Sequence, residues 1–239
     1  METLRTRYRH ERSRGVSMTV AGTAMPPRAP SRSELVADCI VHIVGVAAGS
    51  IGAATLVALI AARGDLLELG ALLIYACGMV AMFGCSAAYN LARNSRWRAL
   101  LRRCDHAAIF VMIAGTYTPF TLLRLEGAWS WGLTSAVWSI AGIGILMRLC
   151  RPCDLRYASV APYLLLGWIG LIALDPLFRS LSWDTLGLIG LGGVLYTTGV
   201  LFHVWDKLPF QNAIWHTFVL AAASAHYAAV ITGVVLRGA

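Results

Sequence analysis

Long apolar stretches recur along nearly the whole chain, and they constrain its fold more than any other feature of the sequence. A helix needs roughly 20 residues to cross the hydrocarbon core of a bilayer, where every backbone polar group must be hydrogen-bonded within the protein. The sequence is 58% hydrophobic and only 13% charged, whereas soluble domains carry about 25% charged residues. We therefore predict an integral membrane protein.

Seven apolar segments are long enough to cross a membrane as helices. Their predicted bounds are 35–62, 66–92, 105–123, 129–148, 157–175, 184–204 and 210–236. The alternation of apolar and polar residues that membrane β-barrels need is absent. Gly, Ser, Thr and Trp inside the segments are typical of helices packed in a bundle. The predicted fold is an all-α bundle of seven transmembrane helices in residues 34–239.

The first 33 residues differ from the rest, because they are polar, rich in Arg and interrupted by Pro. They lack the apolar core of a secretory signal peptide. A segment of this composition buries too little apolar surface to offset the entropy of ordering it. We predict a disordered cytoplasmic tail over residues 1–33, with an organelle transit peptide as the alternative.

The distribution of basic residues predicts the orientation in the membrane. Sixteen of the 20 Lys and Arg residues fall in the tail and in the loops on its side of the predicted spans. Cytoplasmic loops carry such an excess, so the N-terminus is predicted to be cytoplasmic and the C-terminus outside. The net charge of +8 then reflects topology and contact with lipid headgroups. No basic soluble domain is left to bind nucleic acid. The preference for Arg over Lys favours a bacterial source, and hence the bacterial inner membrane.

Several polar side chains lie within the predicted spans or directly at their ends, where burying them in lipid is costly, so they are candidates for a functional site. They are Glu34, Asp38, His42, Ser86, Asn90, Asp105, His106, His203, Asn212, His216 and His226. Under the predicted topology all of them except His226 lie at cytoplasmic ends of spans. The alternatives are headgroup contacts for Glu34, His106 and His203, a helix cap for Asp105, and a core histidine for His226.

Four segments resemble the hemolysin III family. They are ELVADCIVHIVG (34–45), CSAAYN (85–90), DHAAIFVMIAGTYTPF (105–120) and NAIWHTFVLAAASAHY (212–227). That family is grouped with the progestin and adipoQ receptors, which include the adiponectin receptors, in a superfamily with alkaline ceramidases. The resemblance covers everything except the tail. It implies seven helices with the N-terminus inside, in agreement with the topology predicted from charge.

The resemblance also implies a zinc site at the cytoplasmic end of the bundle. Family members share a Ser and a His four residues apart on helix two, an Asp at the start of helix three, and His-x-x-x-His on helix seven. The three His hold zinc, and the Asp holds the zinc-bound water. In this chain Ser86, Asp105 and His216 match the pattern, whereas Asn90 and Asn212 occupy the other two His positions.

The two Asn residues alter the expected metal chemistry. Zinc prefers imidazole, thiolate or carboxylate, and a neutral amide oxygen suits harder cations. Zinc binding at the positions of Asn90, Asn212 and His216 is therefore predicted to be weak. A site rebuilt from His216 with His42, His106 or His203 is the alternative.

Three functions are compatible with this sequence. The first is metal-assisted hydrolysis of a lipid amide or ester, in which Asp105 positions water and Ser86 polarises the carbonyl. The second is a non-catalytic protein that senses a lipid in the helical cavity. The third is a channel or pore, as the name of the family implies, although no span carries a repeated charged face. Membrane lipids, and a lipid-like ligand or substrate, are the predicted partners.

Pro119 predicts an irregular third helix. It has no backbone donor and disfavours helical geometry at the preceding residue. We expect a kink or a helix end within residues 115–119, with Thr116 and Thr118 supplying local hydrogen bonds.

The CRPC sequence at 150–153 tests the predicted orientation. A single CxxC is weak support for a metal or redox site, so both thiols are predicted to be free in the reducing cytoplasm. A membrane-impermeant thiol reagent should therefore label Cys150 and Cys153 only after the cells are opened. Labelling in intact cells would reverse the assigned orientation.

Overall fold

The computed structural model describes residues 30–61, 63, 65–93, 95–150 and 160–236. Within them the regular structure is helical, and no strand occurs. Seven helical segments of this part of the chain are long and apolar enough to cross a membrane, which confirms the predicted all-α seven-helix architecture. The orientation of the termini stays a prediction. Cys153 and most of the predicted tail lie outside the described residues, whereas Cys150 is a free thiol.

The helices agree with the predicted spans to within a few residues at most ends. They are α1 (Arg32–Ala61), α2 (Leu66–Leu91), α3 (Arg98–Arg124), α4 (Gly127–Cys150), α5 (Ala161–Gly167), α6 (Leu174–Ser180), α7 (Trp183–His203) and α8 (Gln211–Val230). A 3₁₀ segment, Ile169–Ala173, joins α5 to α6, and the three together form the fifth span. A π-helical turn, Ile231–Val235, extends α8.

The third span begins earlier than its hydropathy predicts. The predicted start is residue 105, but α3 begins at Arg98, so Asp105 lies two turns inside the helix and is not its N-cap. The apolar pattern marks where a helix enters lipid. It does not mark where the helix begins, because an Arg-rich turn is also a good helix former.

Pro119 does not end the third helix. Of the two predicted alternatives, the helix end within 115–119 is wrong, since α3 continues to Arg124, and the kink stays a prediction. The expected Thr hydrogen bonds are confirmed: Thr116 Oγ1 donates to the Met112 carbonyl and Thr118 Oγ1 to the Ala114 carbonyl, both at 2.8 Å. Such side-chain bonds help a membrane helix to accommodate proline.

The fifth span has a break in its helix, next to Tyr117 of α3. The Tyr117 hydroxyl donates to the Gly167 carbonyl at 2.7 Å and accepts the Gly170 N–H at 2.9 Å. One phenol thus satisfies a donor and an acceptor at the helix break. Non-helical backbone at membrane depth needs such partners, and this break borders two cavities described below.

Helices α2 and α3 approach each other closely through two glycines. A Cβ built on Gly78 would lie 3.3 Å from the Val111 carbonyl oxygen, and one on Gly115 would lie 3.3 Å from the Ile74 carbonyl oxygen. Each glycine therefore faces the backbone of the opposite helix. Small residues permit this packing, which replaces the hydrophobic driving force that is missing between helices in lipid.

We predict that Gly78→Val destabilises the bundle, because its branched side chain would press on the backbone of α3. Overpacking of this kind costs roughly 1–3 kcal/mol. Thermal unfolding in detergent should show a lower midpoint than the wild type. The matched control is Gly84→Val in the same helix, where an added Cβ meets nothing within 4 Å. Equal midpoints for the two variants would contradict the proposed close approach.

Candidate functional site

One face of α1 is buried, and its character changes along the helix. The buried residues are Glu34, Asp38, His42, Gly45, Gly49, Ala53, Leu56 and Ile60. Their spacing of three or four residues is that of one helical face. Three polar residues come first, then two glycines, then an apolar stripe. The polar part of the face lies at the end of the bundle where α1, α3 and α8 begin and α2 ends.

The two glycines place this polar part against α2. A Cβ on Gly45 or Gly49 would lie 3.0 or 2.7 Å from a ring carbon of Phe83, so the phenyl ring packs directly on the α1 backbone. His42 precedes Gly45 by about one turn, and Ser86 follows Phe83 by about one turn. The contact therefore brings the His42 Nε2 atom to 3.3 Å from the Ser86 hydroxyl oxygen.

A second imidazole reaches the same place from α8. His216 Nδ1 lies 3.0 Å from Asp38 Oδ1, and His216 Nε2 lies 3.4 Å from Ser86 Oγ. His42 Nδ1 lies 2.7 Å from the Asp38 carbonyl oxygen and 3.5 Å from Asp38 Oδ1. The ring centroids of the two imidazoles are 4.2 Å apart. Both rings therefore bridge Asp38 on one side and Ser86 on the other.

Asp105 completes the cluster from α3. Its carboxylate faces the Ser86 hydroxyl and lies close to His216. Asp105, Ser86 and both imidazoles line one cavity of about 180 Å³ between the helices. A second cavity of about 400 Å³ lies against the fifth span. The two cavities share wall residues, among them Tyr117, Trp168 and His226, so the polar cluster stands at one end of a largely apolar space.

The structure brings together three of the five predicted site residues, namely Ser86, Asp105 and His216. The other two predicted site residues, Asn90 and Asn212, lie outside this group. The Asn90 amide nitrogen donates to the Ser86 carbonyl at 3.0 Å. Asn90 and Asn212 are half-buried, and neither is among the residues lining the 180 Å³ cavity.

The other histidines of the described chain also border this space. His106 and His203 line the 180 Å³ cavity with the cluster, and His203 lies against Trp215 with ring centroids 5.0 Å apart. His226 lies deeper, as its distance from His216 along α8 predicts. Its Nε2 atom is 3.2 Å from the Ile189 carbonyl oxygen.

A candidate metal-binding group is present, but it is not the set that the family pattern implies. Asp38, His42 and His216 offer ligand atoms within 4.8 Å of one another. Two imidazoles and a carboxylate form a donor set that zinc accepts. The sequence marks Asp38 as a polar residue of the first span, but nothing in it connects Asp38 to His216. The sequence feature that points to Asp38 is the spacing of Glu34, Asp38 and His42, which places all three on one helical face.

Glu34 holds α8 in place beside α1. Its Oε1 atom accepts the Phe210 N–H at 2.8 Å, and Oε2 accepts the Ser31 N–H at 2.6 Å. Phe210 has a left-handed backbone conformation, φ 58°, directly before α8. A carboxylate that binds a free N–H at a helix start also complements the helix dipole. Glu34 therefore fixes the end of α8 from which His216 projects.

Fold and site together define an integral membrane protein of seven helical spans, with a polar cluster in which Asp38, His42 and His216 offer ligand atoms for a metal ion. The family model described as Haemolysin-III related matches residues 33–227. The chain belongs to the haemolysin III family.

Curated relatives agree with this assignment. The chain is 35% identical over 198 residues to "Hemolysin-3 homolog" of Bacillus subtilis, covering 83% of this chain and 93% of the relative. It is 31% identical to "Hemolysin-3" of Bacillus cereus, covering 83% and 90%. It is 28% identical to the human "Monocyte to macrophage differentiation factor", covering 84% of each chain. These similarities also support a multi-pass membrane protein, and the bacterial inner membrane is consistent with them.

We predict that Glu34→Ala lowers the thermal stability of the protein. The substitution removes the acceptor of the Phe210 and Ser31 N–H groups, and a hydrogen bond to a charged group contributes about 1.5–3 kcal/mol. Glu34→Gln should lose less, because it keeps one carbonyl oxygen. An unfolding midpoint for Glu34→Ala equal to that of the wild type would show that this carboxylate does not hold α8.

Proposed function

We propose that the chain is a membrane-embedded hydrolase that cleaves an ester or amide bond of a lipid. The observation that carries the proposal is the convergence of Ser86, Asp105 and two imidazoles at one end of an apolar space between helices. We expect such a space to accept an acyl chain from the surrounding bilayer. The scissile carbonyl would then lie at the polar end.

The side chains have complementary chemistry for this reaction. The Asp105 carboxylate can position a water molecule and accept its proton, as general bases do when they lie within hydrogen-bonding reach. The Ser86 hydroxyl can donate to the carbonyl oxygen, where negative charge develops. A divalent cation held by this cluster would polarise the carbonyl and make the bound water more acidic.

A lipid-binding protein without catalysis is the second candidate. It is favoured by Asn90 and Asn212, which occupy two positions where the family pattern implies zinc-ligating His. A chain that has lost its metal and kept its cavity would bind a lipid and leave it intact. The two functions differ in one observable, which is the release of a fatty acid.

We predict that purified protein in lipid vesicles releases fatty acid from ester- or amide-linked acyl lipid analogues, measured by mass spectrometry. Ser86→Ala and Asp105→Asn should each lower the rate strongly, because each removes a group that acts on the reacting atoms. Loss of a general base typically lowers the rate by about 10²–10⁴-fold.

Two matched controls lie away from the cluster. Ser224 is exposed and donates to the Leu220 carbonyl of its own helix, and Asp184 is exposed in the first turn of α7. Ser224→Ala and Asp184→Asn should keep the wild-type rate. Saturable lipid binding with no release of fatty acid by the wild type would rule out the hydrolase and favour the lipid-binding protein.

A further inference from the structure

The Ser86 hydroxyl is surrounded by more hydrogen-bond acceptors than it can serve. The Nε2 atoms of His42 and His216 lie 3.3 and 3.4 Å from its oxygen, and the Asp105 carboxylate faces it as well. A hydroxyl carries one proton and can donate to one of them.

The opposite edges of the two rings show why both Nε2 atoms are acceptors. His42 Nδ1 lies 2.7 Å from the Asp38 carbonyl oxygen, which can only accept, so this nitrogen carries a proton. His216 Nδ1 lies 3.0 Å from the Asp38 carboxylate, which is the acceptor in that contact. A neutral imidazole has one N–H and one lone pair. Each neutral ring therefore presents its lone pair at Nε2.

Two imidazole lone pairs and one carboxylate thus converge on a single hydroxyl group inside a membrane protein. Polar acceptors that are buried together without enough donors are costly, and a carboxylate beside them adds to that cost. A cation coordinated by the same atoms removes the imbalance. The arrangement also reproduces a known feature of metal sites, in which the second ring N–H of a ligating His donates to a carboxylate or a backbone carbonyl.

We infer that His42 Nε2 and His216 Nε2 bind a divalent cation of the zinc type, with Asp105 and Ser86 facing the same point. Asp38 is then the outer carboxylate that orients the rings, although it belongs to the group of nearby ligand atoms. Its Oδ1 atom is already bonded to His216, and its Oδ2 atom faces Arg93 Nη2 at 4.0 Å. Zinc suits two imidazoles and a carboxylate.

This assignment explains how the chain can hold a metal with Asn at two positions of the family pattern. His42, from the first helix, supplies an imidazole that the positions of Asn90 and Asn212 no longer supply. The inference concerns the site of the proposed hydrolase and deepens it. Its test measures bound metal, so it can succeed or fail independently of lipid turnover.

The experiment is metal analysis of protein purified in mild detergent without chelator, followed by titration of the stripped protein with Zn²⁺ and Co²⁺. The wild type should contain about one zinc per chain. His42→Gln and His216→Gln should each lower the affinity for Zn²⁺ by more than 100-fold. Asp38→Asn should lower it by about 10–100-fold, the range typical of outer-shell partners. Bound Co²⁺ should give the visible absorption of a four-coordinate site in the wild type.

Three control variants separate this site from its alternatives. Asn90→Ala and Asn212→Ala remove the side chains at the family positions, and His226→Gln removes an imidazole from the deeper layer. All three should retain wild-type metal content. Folding of every variant is checked by its helical circular dichroism and its elution as a single species.

Three results would overturn the inference. The first is a folded wild type with neither resident zinc nor Zn²⁺ affinity above that of His42→Gln. The second is loss of metal in Asn90→Ala or Asn212→Ala. The third is loss in Asp38→Asn as complete as in His42→Gln, which would make Asp38 a direct ligand. A metal-loaded wild type without lipid turnover would support the metal site and rule out the hydrolase.

Discussion

The contact between Asp38 and His216 is the interaction on which the rest of the site depends. It joins the first membrane-spanning helix to the last, with 3.0 Å between Asp38 Oδ1 and His216 Nδ1. Asp38 is only 3% exposed, and an unpaired carboxylate at such a position is strongly unfavourable. The contact of Asp38 with His216, the shortest of its ion-pair contacts, forms only when α1 and α8 lie side by side. Glu34 reinforces the same arrangement by accepting the Phe210 N–H at the start of α8.

Small residues make the remaining contacts of the site possible. Gly45 and Gly49 let Phe83 pack on the backbone of α1, which places His42 beside Ser86. Gly78 and Gly115 bring α2 and α3 together, which places Asp105 near Ser86. The fifth span is interrupted by the 3₁₀ segment Ile169–Ala173, and both apolar cavities border this interruption. A polar cluster and an adjoining apolar space thus arise from different parts of the bundle.

Much of the fold could be predicted from the sequence, because hydropathy determines which segments cross lipid. Ser86, Asp105 and His216 could also be selected, since polar residues at membrane depth are rare and their pattern resembles a known family. The partnership of Asp38 with His216 could not be predicted. Spacing shows which residues share a face of one helix, but only the packing of Phe83 on two glycines sets the direction of that face. The start of α3 and the break in the fifth span were missed because hydropathy reports lipid contact and not helix geometry.

The central claim is that His42 ligates a metal ion in a chain with Asn at two family positions. Anomalous diffraction from crystals of the wild type, collected on both sides of the zinc absorption edge, tests this claim most directly. We predict one anomalous peak within bonding distance of both His42 Nε2 and His216 Nε2, about 2.0–2.1 Å from each. A peak coordinated by Asn90 or Asn212, or no peak in crystals grown with zinc, would contradict it.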